Sequence, residues 1–227
     1  MIVSIHQPNF FPWLGYFDKI NKSEKFIFLT SSLRSKNDKY LTRTKILNNN
    51  LKPQYLSIPL GNRQILINQL TMPTDDKWKL KLLNIIKESY RNSYYFDEIY
   101  NDIEGLIMHK YDYFADFSIN IINFFFLNFN IDTEIYVDSD FDQSLGESNQ
   151  RNITLCKIVG GNIYLSGNGA KVYNDNNFFK DNSLNLIYQD YVPQIYKQSS
   201  NQFIPGLSII DVIFNCGYKA TENLLKT

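Results

Sequence analysis

The chain opens MIVSIHQPNFFPWLGYFDKI over residues 1–20. Ile2-Val3-Ser4-Ile5 is apolar, too short for a helix and rich in β-branched residues, which is the pattern of a buried strand. The polar turn His6-Gln7-Pro8-Asn9 follows at once. Pro8 has no N–H to give to a ladder and pushes Gln7 toward extended geometry. Phe10, Phe11, Trp13, Leu14, Phe17 and Ile20 then recur at helical spacing, with Pro12 tolerated near a helix start. Strand, polar turn and helix put His6 and Gln7 at the carboxyl end of a strand, where ligands bind in open α/β sheets. His6 is one of two histidines in the chain. A histidine after a strand also serves as a structural hydrogen-bonding group. The aromatic residues here read as core rather than as a stacking surface.

Strand-and-helix alternation continues outward from this stretch. Lys25–Leu29 reads as a second strand, and Ser31–Lys39, with Arg34, Lys36 and Lys39, as an exposed basic loop. Tyr55–Leu60 alternates and stops at Pro59-Leu60-Gly61, and Ile65–Met72 reads as another short strand. A helix capped by Thr74 or Asp75 runs through Trp78 and Ile86, and two more helical patterns cover about 95–109 and 111–129. His109 falls between them and reads as a surface residue. Ile131–Asp138 returns to a strand, Asp138–Gln150 to an acidic loop, and a helix through Cys156 closes at Gly160-Gly161. Ile163–Leu165 and Leu184–Tyr188 are further strands, and Leu207–Phe214 a closing helix. The expected architecture is a single domain over 1–227: three-layer α/β, mainly parallel sheet, with a helical insertion at about 74–130.

Composition narrows the classes of function. Lys+Arg and Asp+Glu balance at 23 each, so bulk charge points to neither DNA nor an anionic membrane as a partner. Cys156 and Cys216 have no metal-ligand spacing to each other or to the histidines, and form no disulfide framework. Met1 leads directly into a strand with no basic or extended apolar leader, so no signal peptide is expected. The most apolar stretch, Ile119–Ile131, is broken by asparagines and too short to span a bilayer. A cytoplasmic protein without membrane insertion is the simplest reading.

Three motifs carry candidate chemistry. Ser166-Gly167-Asn168-Gly169 lies between a strand and an expected helix at Ala170–Tyr173, a cradle in which backbone approaches a ligand closely. Its spacing matches neither a dinucleotide fingerprint nor a Walker loop. Arg43 and Lys45 suit a phosphate or carboxylate, or simply a solvated cationic face. Ser208 and Asp211 share one face of an apolar helix, and a carboxylate there demands a partner. Asp211 then orients His6, caps another element or pairs with Arg43. Cys156, midway along an apolar helix, reads as inert core rather than nucleophile, and no G-x-S-x-G elbow surrounds a serine.

HQPNFFPWLGYFDKI resembles the opening signature of the WbqC-like family of bacterial polysaccharide-cluster proteins. The resemblance continues through TRTKI at 42–46, YLSIPL at 55–60, Trp78, YLSGNGAKVY at 164–173 and FIPGLSIIDVIFNCG at 203–217. Thr42 and Thr44 depart from the family pattern, which more typically has amide side chains there. The resemblance implies a transferase that moves glycine or another acyl or aminoacyl group onto the amine of a nucleotide-linked amino sugar, in O-antigen (lipopolysaccharide) biosynthesis. The donor then arrives on an acyl-carrier protein, as a coenzyme A thioester or on aminoacyl-tRNA, and the nucleotide sugar is the other partner. Amide formation needs a base, donors for a tetrahedral oxyanion and a cationic clamp. These roles go to His6, to backbone N–H groups near Gly167 and Gly169, and to Arg43. The full candidate set adds Asp211 to His6 as catalytic residues. Substrate binding falls to Gln7, Asn9, Trp13, Arg43, Tyr164, Ser166, Gly167, Asn168, Gly169 and Tyr173, with no metal ligand. A strand ending in His and Pro before a helix is also loosely similar to adenylyl-transferring folds, although the two-histidine phosphate motif is absent. An ATP-dependent adenylate-forming ligase or nucleotidyltransferase-like enzyme is therefore one alternative, and a non-catalytic sugar-nucleotide-binding module another.

Overall fold

Strand β1 (Ile2–His6) forms where the β-branched run begins, and it is the centre of the sheet. A computed structural model of the protein describes residues 1–34, 40–61, 64–141 and 144–226. Residues 35–39 of the expected basic loop, with Lys36 and Lys39, and 142–143 of the acidic loop lie outside the described residues.

The chain divides into two compact units, taken here one at a time. Unit 1 comprises Met1–Gln7, Gly15–Ser31 and Ile131–Val192. It holds a five-stranded sheet of β1, β2 (Lys25–Phe28), β5 (Glu134–Val137), β6 (Ile163–Ser166) and β7 (Asn185–Tyr188). Every pairing is parallel, and the spatial order is β5-β2-β1-β6-β7. Counted along the chain, that is third, second, first, fourth, fifth: the order of doubly wound nucleotide-binding sheets, which reverses direction between β1 and β6. Alternation along the strands separates two faces. Val3, Ile5, Ile27 and Tyr164 pack with Ile153, Leu155 and Cys156 of α5 (Ser148–Ile158) and Phe179 of α6 (Asn176–Asp181). On the other face, Phe26 meets Tyr16 of α1 (Leu14–Asn21), and Ser4 accepts from Ser23 at 2.7 Å. Helix, sheet and helices make the three layers of an α/β fold.

Unit 2 comprises Pro8–Leu14, Ser32–Asn130 and Pro193–Thr227. It contains an antiparallel ribbon, β3 (Arg43–Leu47) with β4 (Pro53–Ser57). Helices α2 (Lys77–Tyr90), α3 (Phe96–Met108) and α4 (Phe114–Asn128) occupy the helical middle of the chain. Helix α7 (Ile209–Leu224) closes it and is kinked at Gly217, where φ is 75° and a Cβ would meet the Tyr95 ring at 2.8 Å. Among the described residues, no helix is long and apolar enough to cross a membrane.

Three local readings differ from the structure. The expected strand at Ile65–Met72 is a 3-10 turn over Ile67–Gln69, with only isolated bridges beside it. The helix expected from the Phe10 spacing starts at Leu14. Phe11 sits at φ 40°, outside helical geometry, and its carbonyl accepts from Thr44 Oγ1 and Ser208 Oγ, each at 2.8 Å. The helix expected at Ala170–Tyr173 is a five-residue 3-10 turn, Asn168–Val172.

Candidate functional site

The carboxyl edge of the unit 1 sheet gathers the groups expected there from β1 and β6. Ser4 is in register with Leu165, so two residues further on His6 and Gly167 stand level at the ends of adjacent parallel strands. The reversal of strand order falls between those two strands, the place at which doubly wound sheets bind their ligands.

His6 is held by its own turn. Its Nδ1 lies 3.0 Å from the Gln7 carbonyl oxygen. A carbonyl only accepts, so Nδ1 carries the proton and Nε2 keeps its lone pair. Tyr16 donates to the same carbonyl at 3.0 Å while its ring meets the imidazole edge-on at 4.9 Å. Burial, and then the nearby Lys19 ammonium, push the His6 pKa down to about 3. His6 is therefore neutral at pH 7, and an activity limb near pH 6.5 is not a property of the unliganded protein.

Lys19 is the group that reading by motif missed. It is buried on α1, and Nζ donates to the Ile5 carbonyl at 2.8 Å. Burial lowers its pKa to about 7. The signal was present: Tyr16 and Lys19 are three apart and so share a helical face, the one turned to β1. Asp138, which the sequence places where a strand gives way to an acidic loop, is buried at the end of β5. It accepts from Thr30 N at 2.6 Å and Thr30 Oγ1 at 2.8 Å, and from the backbone and hydroxyl of Ser31. It ties the ends of β2 and β5 together. Gln189, just past β7, donates from Nε2 to the Gly15 carbonyl and to Asp18, both at 2.7 Å, and so anchors α1.

The loop after β6 is only partly the cradle expected. Ser166 is buried and accepts from Asn174 Nδ2 at 3.0 Å. Gly167 accepts from Ala170 N at 3.0 Å. The turn is too short to carry the dipole of an α-helix. Gly167 and Gly169 leave open space beside their backbones. Tyr164 does not belong to a binding surface: it is buried and its ring stacks on Phe179 at 5.5 Å. Tyr173 is 68% exposed and Val172 89%, so the rim of this loop is apolar and open to solvent. Burial pushes the Cys156 thiol up to about 12, as suits inert core.

Asn9, Trp13, Arg43 and Asp211 belong to unit 2. Asn9 is buried and Trp13 38% exposed. Arg43 stacks its guanidinium over the Tyr55 ring at 4.9 Å. Asp211 is wholly buried, and its partners are phenols rather than a cation: Tyr90 donates to Oδ1 at 2.9 Å and Tyr196 to Oδ2 at 2.7 Å. Burial raises its pKa to about 6 against the two hydrogen bonds. The role as orienter of His6 is thus replaced, within unit 2, by a buried network joining α2, α7 and the segment ahead of α7. Among the described residues, no group of three His, Cys, Asp or Glu side chains is placed to hold a metal ion.

The model of the WbqC-like protein family matches residues 7–223, which takes in the turn after β1, the loop after β6 and the Asp211 helix. The chain belongs to the WbqC-like protein family. It is also similar to Rv1507c of Mycobacterium tuberculosis, itself an uncharacterized protein. That relative is 26% identical over 231 residues, covering 98% of this chain and 96% of the relative. No solved structure matches the chain. The matched residues thus fall in both units, with Gly167 in one and Arg43 and Asp211 in the other.

Proposed function

We propose that unit 1 binds a nucleotide-linked amino sugar at the carboxyl edge of its sheet and that the protein moves an acyl or aminoacyl group onto the sugar amine. The observation that supports this most is the reversal of strand order between β1 and β6, with His6 and Gly167 level at the two strand ends. In sheets of this order the crevice takes nucleotides. The resemblance to transferases of surface-sugar clusters supplies the reaction class.

The chemistry needs one proton moved. The amine attacks the donor carbonyl, the C–N bond forms, and the bond to the carrier breaks. The amine proton passes to Nε2 of His6, whose lone pair is left available by the Nδ1 contact to Gln7, and from there to the departing sulfur or oxygen of the carrier, which leaves as its neutral thiol or alcohol. An imidazole with a pKa near 3 is a weak base. Phosphates of a bound substrate counter the Lys19 charge and raise the His6 pKa part of the way, burial being the larger cause of its low value.

Mass spectrometry of a sugar-nucleotide amine incubated with the protein and, in turn, an acyl-carrier thioester, a coenzyme A thioester and aminoacyl-tRNA tests this. The expected product gains the acyl mass on the amine. Binding by calorimetry with no product under any donor would leave a binding module instead. The strand order equally suits ATP-dependent adenylation, the second reading, for which pyrophosphate release on adding substrate is the discriminating result.

A further inference from the structure

The chain's second histidine lines a groove in unit 2 that the reading above does not use. The groove, about 430 Å³ and open to solvent, is lined by the exposed Asn101, Asp102, Gly105 and His109 along α3 and its end, and by Asn120 and Phe124 of α4. Ligand sites of small molecules begin at roughly 300 Å³. Asn101, Gly105 and His109 are spaced by four and form one stripe on the helix.

Gly105 is the informative residue. It lies inside α3, where glycine is destabilising relative to alanine. Nothing about its conformation requires glycine: its φ is not positive, and a Cβ built there meets no atom within 4 Å. What the missing side chain does is leave the floor of the groove open, since any longer residue would project into it.

Both helices contribute aromatic groups to the lining. His109 packs against Tyr111 at 4.7 Å, and Phe124 comes from the opposite helix. Among the described residues, Asn101 and the His109 ring have no side-chain hydrogen bond. Asp102 is oriented by the Tyr218 hydroxyl, which donates to Oδ2 at 2.9 Å and leaves Oδ1 for another donor. No lysine or arginine lines the groove, so a phosphate has no cation to bind.

We infer that this groove is a binding site for a planar nitrogen heterocycle bearing an exocyclic amine, of the kind found in a nucleoside. The ring face packs between the His109–Tyr111 pair and Phe124, as bases stack on aromatic side chains. The amine donates to Asp102 Oδ1, and an asparagine amide reads the adjacent edge, as amides do with aminated bases. The site lies in unit 2 and does not depend on the chemistry assigned to unit 1.

Paired nucleosides that differ at the amine test it: adenosine against inosine, and cytidine against uridine. Each is titrated into the full-length protein and followed by saturation-transfer NMR and calorimetry. The expected result is that one aminated member binds at least tenfold more tightly than its oxo counterpart, and that D102A, which removes the acceptor, removes the preference. G105L should abolish binding while circular dichroism stays native. G105A should raise the melting temperature and, with its small side chain, weaken binding less than G105L does. No binding of any nucleoside, equal binding within both pairs, binding that survives G105L, or a preference unchanged by D102A would overturn the inference.

Discussion

The imidazole of His6 donates from Nδ1 to the carbonyl of the very next residue, Gln7, at 3.0 Å. That contact selects the tautomer whose free lone pair is on Nε2, and the Tyr16 hydroxyl on the same carbonyl keeps the peptide in place. Burial and the Lys19 charge then hold the ring neutral.

Because the His6 pKa is pushed down to about 3, a proton NMR titration of the free protein should show almost no His6 protonation from pH 8 to 5, of the order of 1% at the acid end. The sign follows: His6 favours the folded state above the unfolded value of about 6.5, and that contribution is lost as pH falls toward 3. Lys19→Met should raise the His6 pKa only part of the way, since burial is the larger cause. A His6 midpoint near 6.5 in the wild type would refute the account of the turn.

Substrate binding should raise the His6 pKa, because the nucleotide phosphates favour the imidazolium, while leaving Nε2 free to accept a proton at pH 7. A proton NMR titration of the complex should place the His6 midpoint above that of the free protein but still below neutrality. His6→Asn should keep the fold and lower kcat by roughly 10²–10⁴-fold. A midpoint unmoved by substrate would show that the phosphates do not act on His6.

Asp211 works in the opposite pH direction. Its folded pKa is raised from 3.8 to about 6. It therefore contributes stability below about pH 4 that is lost as pH rises through 6, about 3 kcal/mol in all. Urea unfolding at pH 4, 5, 6 and 7 should show wild type losing about that much relative to Asp211→Asn. Parallel stability curves would mean that the two phenols already compensate the charge.

The Phe11 carbonyl has two buried hydroxyl donors, Thr44 and Ser208, and Ser208 also caps α7 by accepting from Ile210 N. Ser208→Ala should cost about 1–3 kcal/mol, the sum of a lost cap and a lost buried hydrogen bond. Thr44→Ala should cost less, about 1 kcal/mol. The double variant should cost more than the sum, because only then is the carbonyl left without a side-chain donor. Strict additivity in denaturant melts would show that water replaces either hydroxyl.

Much of this protein is legible in the order of its residues. The β-branched run before His6 specifies β1. The 3.6-residue recurrence of Leu82, Ile86 and Tyr90, of Ile99, Ile103 and Leu106, and of Phe117, Ile121 and Phe125 specifies α2, α3 and α4. The family blocks are contiguous, so they too survive in one dimension. What the tertiary structure alone decided depends on partners far along the chain. The start of α1 was misplaced because Phe11 answers to Thr44, 33 residues on, and Ser208, 197 residues on. The strand order rests on parallel pairing of β1 with β6 and β2 with β5, which no local pattern encodes. Asp211 was rightly expected to need a partner, but Tyr90 stands 121 residues away. His6 was placed correctly at its strand end, yet its charge state follows from burial and from Lys19. Side-chain spacing reports which face a residue occupies. Desolvation and the identity of the group across that face are properties of the folded chain.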